Sequence, residues 1–149
     1  MSRIDYCNAL LAGSPDYNIK KLQRVQNMTA RVISGQRKSD DVELTRYNLH
    51  WLPVKERVDF KVLLLTYKAL NGLAPVYIRD LLNVYNPSRS LRSEVKSRLV
   101  IPKVEKKYGE CFSYKAPVLW NKLPEQIKSA VSVVSFKSQL KTHLFRSAY

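Results

Sequence analysis

The sequence holds few side chains able to make and break bonds, and their spacing limits what they can do. His50 and His143 are its only histidines, and Cys7 and Cys111 its only cysteines. A nucleophilic site needs Ser or Cys within reach of a base. His50 sits between Leu49 and Trp51, a setting for a packed or hydrogen-bonded ring. His143 falls in a basic C-terminal stretch, where the negative end of a helix dipole accounts for it. Two cysteines make neither a disulfide framework nor a four-ligand zinc site, so no metal or cofactor is expected. The glycines at 13, 35, 72 and 109 are isolated, which leaves no Gly-rich phosphate loop. Asp40-Asp41 invites comparison with a magnesium-holding pair, but two-metal chemistry needs carboxylates converging from separate strands. This pair follows Lys38-Ser39 ahead of a helical stretch and reads as a helix cap. No catalytic centre is expected in this chain.

What remains is binding. Lys and Arg number 26 against 12 acids, for a net charge of +14, which points to polyanions. The excess is segregated: residues 1–38 carry +5, 39–78 are neutral, 79–107 carry +5 and 108–149 carry +4. The neutral block is also the most apolar, so a core in the middle with basic flanks is expected. Tyr17, Tyr47, Tyr77, Tyr85, Tyr108 and Tyr114 are interleaved with the bases, a composition suited to neutralising phosphates and stacking on bases or sugars. Apolar residues make up 45% of 149, enough for one ordinary domain. No apolar run reaches membrane-spanning length, and the polar start predicts no secretory leader. An intracellular chain with reduced thiols, and no membrane partner, is expected.

The elements that must position these groups are mainly helical. Residues 2–12 fit a short helix ended by Gly13 and Ser14-Pro15. A second helix runs from Ser14 or Asp16 to about Ser34, stopped by Gly35. Its 3.6-residue period places Ile19, Leu22, Gln26, Thr29 and Ile33 inward, with Lys20, Arg24, Asn27 and Arg31 outward. The loop 36–41 ends in a cap for a short helix through about Leu49. Pro53 opens a helix to Gly72 that is apolar almost all round, apart from a wet seam of Arg57, Lys61 and Lys68; such a helix is central. Pro75 opens a short helix to about Asn83, with Tyr77, Ile78, Leu81 and Leu82 inward. From 84 to 107 the pattern changes to a basic, partly extended arm, with room around Leu99-Val100-Ile101 for at most a short hairpin or edge strand. Helical spacing returns at Phe112, breaks at Leu123-Pro124, resumes to about Ser129, and ends in a helix capped by Ser132 or Ser135. Phe136, Leu140 and Leu144 form its stripe. The expected fold is thus mainly α, one bundle over 1–149, with a helical core (1–83), a basic arm (84–111) and C-terminal helices (112–149).

Several strings occur in an order that resembles the region after the catalytic palm in reverse transcriptases of LINE-type (non-LTR) retrotransposons, the jockey-like and chicken-repeat-like groups in particular. They are Ser2-Arg3-Ile4-Asp5-Tyr6-Cys7-Asn8, Lys21-Leu22-Gln23-Arg24-Val25-Gln26-Asn27, Leu49-His50-Trp51-Leu52-Pro53-Val54 and Lys68-Ala69-Leu70-Asn71-Gly72-Leu73-Ala74-Pro75. Farther on stand Ser88-Arg89-Ser90-Leu91-Arg92-Ser93, Ala116-Pro117-Val118-Leu119-Trp120-Asn121-Lys122-Leu123-Pro124 and Ser135-Phe136-Lys137-Ser138. Together they span nearly the whole chain.

The resemblance implies the thumb and downstream segment of an RNA-directed DNA polymerase. Endonuclease, fingers and palm would lie upstream of Met1, as in a truncated copy, so no catalytic residue carries over. The implied role is a sequence-independent grip on template–primer phosphates, with the RNA or DNA backbone as partner and an RNA–DNA duplex foremost. Lys20, Arg24 and Arg31 would contact phosphates from one helix. Arg89, Arg92, Lys96 and Arg98 would wrap from the arm, followed by Lys103, Lys106 and Lys107. The missing upstream polymerase domains are a second expected partner, and the nucleus or cytoplasm the expected compartment. The alternatives are a non-enzymatic helical interaction module, or a relic without function.

Overall fold

A computed structural model describes residues 5–85, 98–103 and 111–149. A 3-10 helix at Asn8–Gly13 leads into α1 (Asp16–Ser34), α2 (Val42–Asn48), α3 (Val54–Leu70) and α4 (Val76–Arg79). After the arm come α5 (Phe112–Lys122), α6 (Glu125–Lys128) and α7 (Val133–Ala148). The fold is mainly α, as the periodicities predict, and the described residues contain no strand longer than an isolated bridge.

Helix starts follow two rules. Pro15, Pro53, Pro75 and Pro124 stand directly before α1, α3, α4 and α6, where a fixed φ is already compatible with the turn to come. Asp41 and Ser132 cap by side chain instead: the Glu43 N–H donates to Asp41 Oδ1 at 2.8 Å, and the Ser135 N–H to Ser132 Oγ at 3.1 Å. Asp40 accepts from the Arg37 N–H at 2.8 Å. The Asp40-Asp41 pair is therefore absorbed by turn and cap. Three helices end alike, through a residue with left-handed backbone: Gly35 (φ +66°) after α1, His50 (+54°) after α2 and Gly72 (+70°) after α3.

Helix α3 is the centre, touching the 3-10 helix, α1, α4, α5 and α7. Its buried residues (Val58, Val62, Leu63, Leu64, Tyr67 and Ala69 among them) meet Phe136 and Leu140 of α7, and Ala116 and Trp120 of α5. Tyr67 stacks on Phe136 with ring centroids 4.1 Å apart, and its hydroxyl donates to the Ala130 carbonyl at 2.6 Å. One tyrosine thus fills the core and satisfies the loop before α7.

Three details depart from the sequence reading. Of the predicted helix over 2–12, residues 2–4 lie outside the described residues, and the stretch Asn8–Gly13 is 3-10 rather than α, entered through Cys7 at φ +50°. Helix α4 is four residues long, and Tyr77 and Leu81 are exposed rather than inward. There the chain turns early, since Val84 must reach its antiparallel bridge with Leu99. The seam of Arg57, Lys61 and Lys68 is half-buried rather than wet, with Arg57 paired to Asp5 at 2.7 Å.

Candidate nucleic-acid interface

Helix α1 carries the first group of expected phosphate contacts, and it is seated differently from its apolar period. Gln26 and Ala30 are its buried residues. Gln26 Nε2 donates to the Leu52 carbonyl at 2.8 Å, and Gln23 Oε1 accepts from the Val54 N–H at 2.8 Å. Gln23 Nε2 in turn donates to Gln26 Oε1 and Asn27 Oδ1, both at 2.8 Å, and Arg46 Nη1 reaches Asn27 Oδ1 at 2.5 Å. The first turn of α3 has an unpaired backbone donor that Pro53 cannot cap by side chain, and Gln23 supplies the acceptor from another helix. The amide face therefore turns inward. Thr29 and Ile33, expected inside, are exposed, and Asn27, expected outside, is half-buried.

The basic flank survives this rotation in part. Lys20 and Arg24 are exposed and make no ion pair among the described residues. Arg31 is half-buried: its Nη2 donates to the Asp40 carbonyl at 3.4 Å, and its Nε is buried without a partner. Arg31 therefore serves the α1–α2 loop and is not free like its two neighbours. Beside the cations runs an exposed apolar ridge of Val25 (53%), Met28 (65%) and Val32 (82%).

The second group belongs to the arm. Arg98 and Lys103 are exposed, on a segment fastened to α5 rather than to α1. Asn121 makes the fastening, accepting from the Leu99 N–H at 2.9 Å and donating to its carbonyl at 2.8 Å. Arg98 presents its carbonyl to the Tyr85 N–H at 2.9 Å. Arg89, Arg92, Lys96, Lys106 and Lys107 lie outside the described residues.

A third cluster was not singled out by sequence reasoning. At the α2–α3 corner, His50 stacks on Phe145 of α7 (5.8 Å, 14° between planes), and Tyr47, Phe145 and Tyr149 sit within 5.6 Å of one another. Tyr149 donates its hydroxyl to the Trp51 carbonyl at 2.7 Å. Lys61, Lys141 and Arg146 line the recesses around these rings. The alternation of bases and aromatics was the available signal, but its members come from three helices and share no period.

No group of three or more His, Cys, Asp or Glu able to hold a metal occurs among the described residues, and no described helix is long and apolar enough to cross a membrane. No protein family, no curated protein and no solved structure matches this chain.

Proposed function

We propose that this chain is a nucleic-acid-binding module that grips the phosphate backbone without regard to sequence, as the thumb side of a polymerase holds a template–primer duplex. The observation that carries this reading is the flank of α1. Lys20 and Arg24 project from a helix locked at its base by the Gln23–Gln26 amide network, with no carboxylate among the described residues paired to them. A net charge of +14 supplies the surrounding field. In this reading the chain holds and orients, and the chemistry belongs to other polypeptide segments.

The test is a salt titration of binding to a labelled RNA–DNA duplex, with a sequence-scrambled duplex alongside. Affinity falls steeply with salt and equally for both duplexes, with about 0.9 in the logarithmic slope for each phosphate neutralised. Replacing Lys20 and Arg24 together by Ala weakens binding to both duplexes and makes the slope shallower. Unchanged affinity and slope in that variant remove α1 from the interface. Absence of binding at low salt by the folded chain overturns the reading.

The ridge of Val25, Met28 and Val32 favours a second reading, in which α1 docks on another protein surface such as the upstream part of a polymerase. Met28→Lys with Val32→Lys then abolishes any self-association or docking seen by sedimentation. The fold is left intact, because exposed substitutions of this kind stay within about 0.5 kcal/mol.

A further inference from the structure

Three helices of this protein end with the same hydrogen bond, and one of them uses an unexpected residue. The N–H of Gln36 closes back on the Arg31 carbonyl (3.1 Å), that of Trp51 on Arg46 (2.9 Å) and that of Leu73 on Lys68 (2.8 Å). Each closure requires a left-handed residue just before the donor. Two ends place Gly35 and Gly72 there, whereas the third places His50 at φ +54°. A side chain costs free energy in that conformation, which glycine adopts freely. Such a residue is kept where its side chain has a role, and this ring is fixed by stacking on Phe145 and by the Asn48 carbonyl 3.1 Å from Nδ1.

His50 lines a cavity of about 540 Å³, together with Trp51, Phe60, Lys61 and Lys141. That volume is in the range of a small-molecule site. A second recess of about 620 Å³ shares His50 and Lys141 and continues along Tyr47, Phe145 and Arg146. One histidine and one lysine therefore line two neighbouring recesses, each offering aromatic surface.

The electrostatics favour an anion with a flat body. Among the described residues Asp5 supplies the only side-chain carboxylate on either wall, and it is occupied by Arg57 through both oxygens at 2.7 and 2.8 Å. Lys61, Lys141 and Arg146 make no ion pair among the described residues. On the wall of the first cavity, Asn8 is only 3% exposed. Its Nδ2 donates to the Arg57 carbonyl at 3.4 Å, while its Oδ1 is buried without a partner.

We propose that this groove binds unpaired nucleotides, with His50, Trp51 and Phe60 as the stacking surface and Lys61 and Lys141 as phosphate contacts. The inference rests on the nucleic-acid reading above and adds a second site of different selectivity. A concave aromatic recess needs a base whose face and edge are free, as in a single strand, whereas the flank of α1 needs only phosphates.

Trp51 reports on the site directly. Trp120, the other tryptophan, is 2% exposed in the core and gives a constant background. Titration with a short oligo-deoxythymidine quenches Trp51 fluorescence to saturation, and inorganic phosphate at equal charge does not. His50→Gly removes the ring while relaxing the left-handed turn, so the melting temperature is unchanged or raised while oligonucleotide affinity falls about tenfold. Lys61→Ala with Lys141→Ala weakens the same binding and flattens its salt dependence. Both variants lower single-strand affinity more than duplex affinity, whereas the Lys20 and Arg24 double variant lowers duplex affinity more. Duplex binding that persists while single-strand binding ignores His50→Gly overturns the groove and leaves the duplex grip standing. Equal quenching by phosphate alone reduces the groove to an anion site and also overturns the proposal. Failure of both probes on the folded chain removes both readings.

Discussion

Helix α3 is held by hydrocarbon on most of its circumference, whereas α1 is seated by amides and leaves much of its hydrocarbon wet. Along α3, Val58, Val62 and Leu63 disappear into contacts with α5 and α7. Along α1, the fully buried side chain is Gln26, and Val25, Met28 and Val32 face outward. The two helices share a junction, since α1 donates to the Leu52 carbonyl and accepts from the Val54 N–H where α3 begins. The difference teaches that burial in a small basic domain is not always directed by hydrophobicity. A proline-started helix leaves backbone groups that must be paired, and satisfying them can outweigh the gain from turning three apolar side chains inward.

The largest effect expected from this contrast lies on α3. Leu63 is 2% exposed in the middle of the core, so Leu63→Ala removes its transfer energy and leaves a cavity. A loss of about 2–5 kcal/mol in unfolding free energy is expected, measured by urea denaturation. A loss below about 1 kcal/mol would mean that α3 is not the centre of the core. On α1 the informative change is the one hydrophobicity would call favourable. Gln23→Leu strips the acceptor from the buried Val54 N–H and the donor shared by Gln26 and Asn27. It is expected to cost about 1–3 kcal/mol. A neutral or stabilised variant would show that the amide network follows from the seating of α1 instead of causing it.

The same contrast explains what could be read from residues alone. The extent of α3 and the stripe of Phe136, Leu140 and Leu144 on α7 follow from hydrocarbon repeating at helical spacing, and both are observed. The limits of α1 were equally legible, because Pro15 and Gly35 punctuate it. Its rotation was not. The partners of Gln23 and Gln26 are the main-chain groups of Val54 and Leu52, and main-chain groups carry no signature in a sequence. For the same reason Arg31 was placed with Lys20 and Arg24, though its guanidinium is drawn toward the Asp40 carbonyl. The aromatic groove was hidden differently. Its walls come from residues 5 and 8, 47–52, 57, 60–61 and 141–149, and its most telling residue, His50, adopts the backbone shape a reader assigns to glycine. Leu49 and Trp51 on either side made a packed or hydrogen-bonded ring the natural expectation, and the ring is both stacked on Phe145 and within 3.1 Å of the Asn48 carbonyl at Nδ1, although the residue is exposed.

The smallest expected effect tests how far the apolar character of α3 extends. Asp59 sits on that helix with its side chain 14% exposed, and the Lys115 ammonium stands 3.6 Å from Oδ1, too far for a hydrogen bond. Lys115 instead donates to the Ala12 carbonyl at 2.9 Å. Burial pushes the Asp59 carboxyl above its ordinary 3.8, outweighing the opposing attraction of Lys115, Lys55 and Lys122. Below 3.8 the carboxyl is protonated in both folded and unfolded chains. As pH rises through the gap, the folded state still holds a proton the unfolded state has released, so stability falls with pH. Above the raised value the loss is complete and stays constant. The wild-type chain should therefore lose stability relative to Asp59→Asn as pH rises from 3.8, by no more than about 1 kcal/mol for a partly wet pair. Parallel stability curves for the two proteins across that range would show that Lys115 compensates the carboxylate fully, and that hydrocarbon does not govern this face of α3.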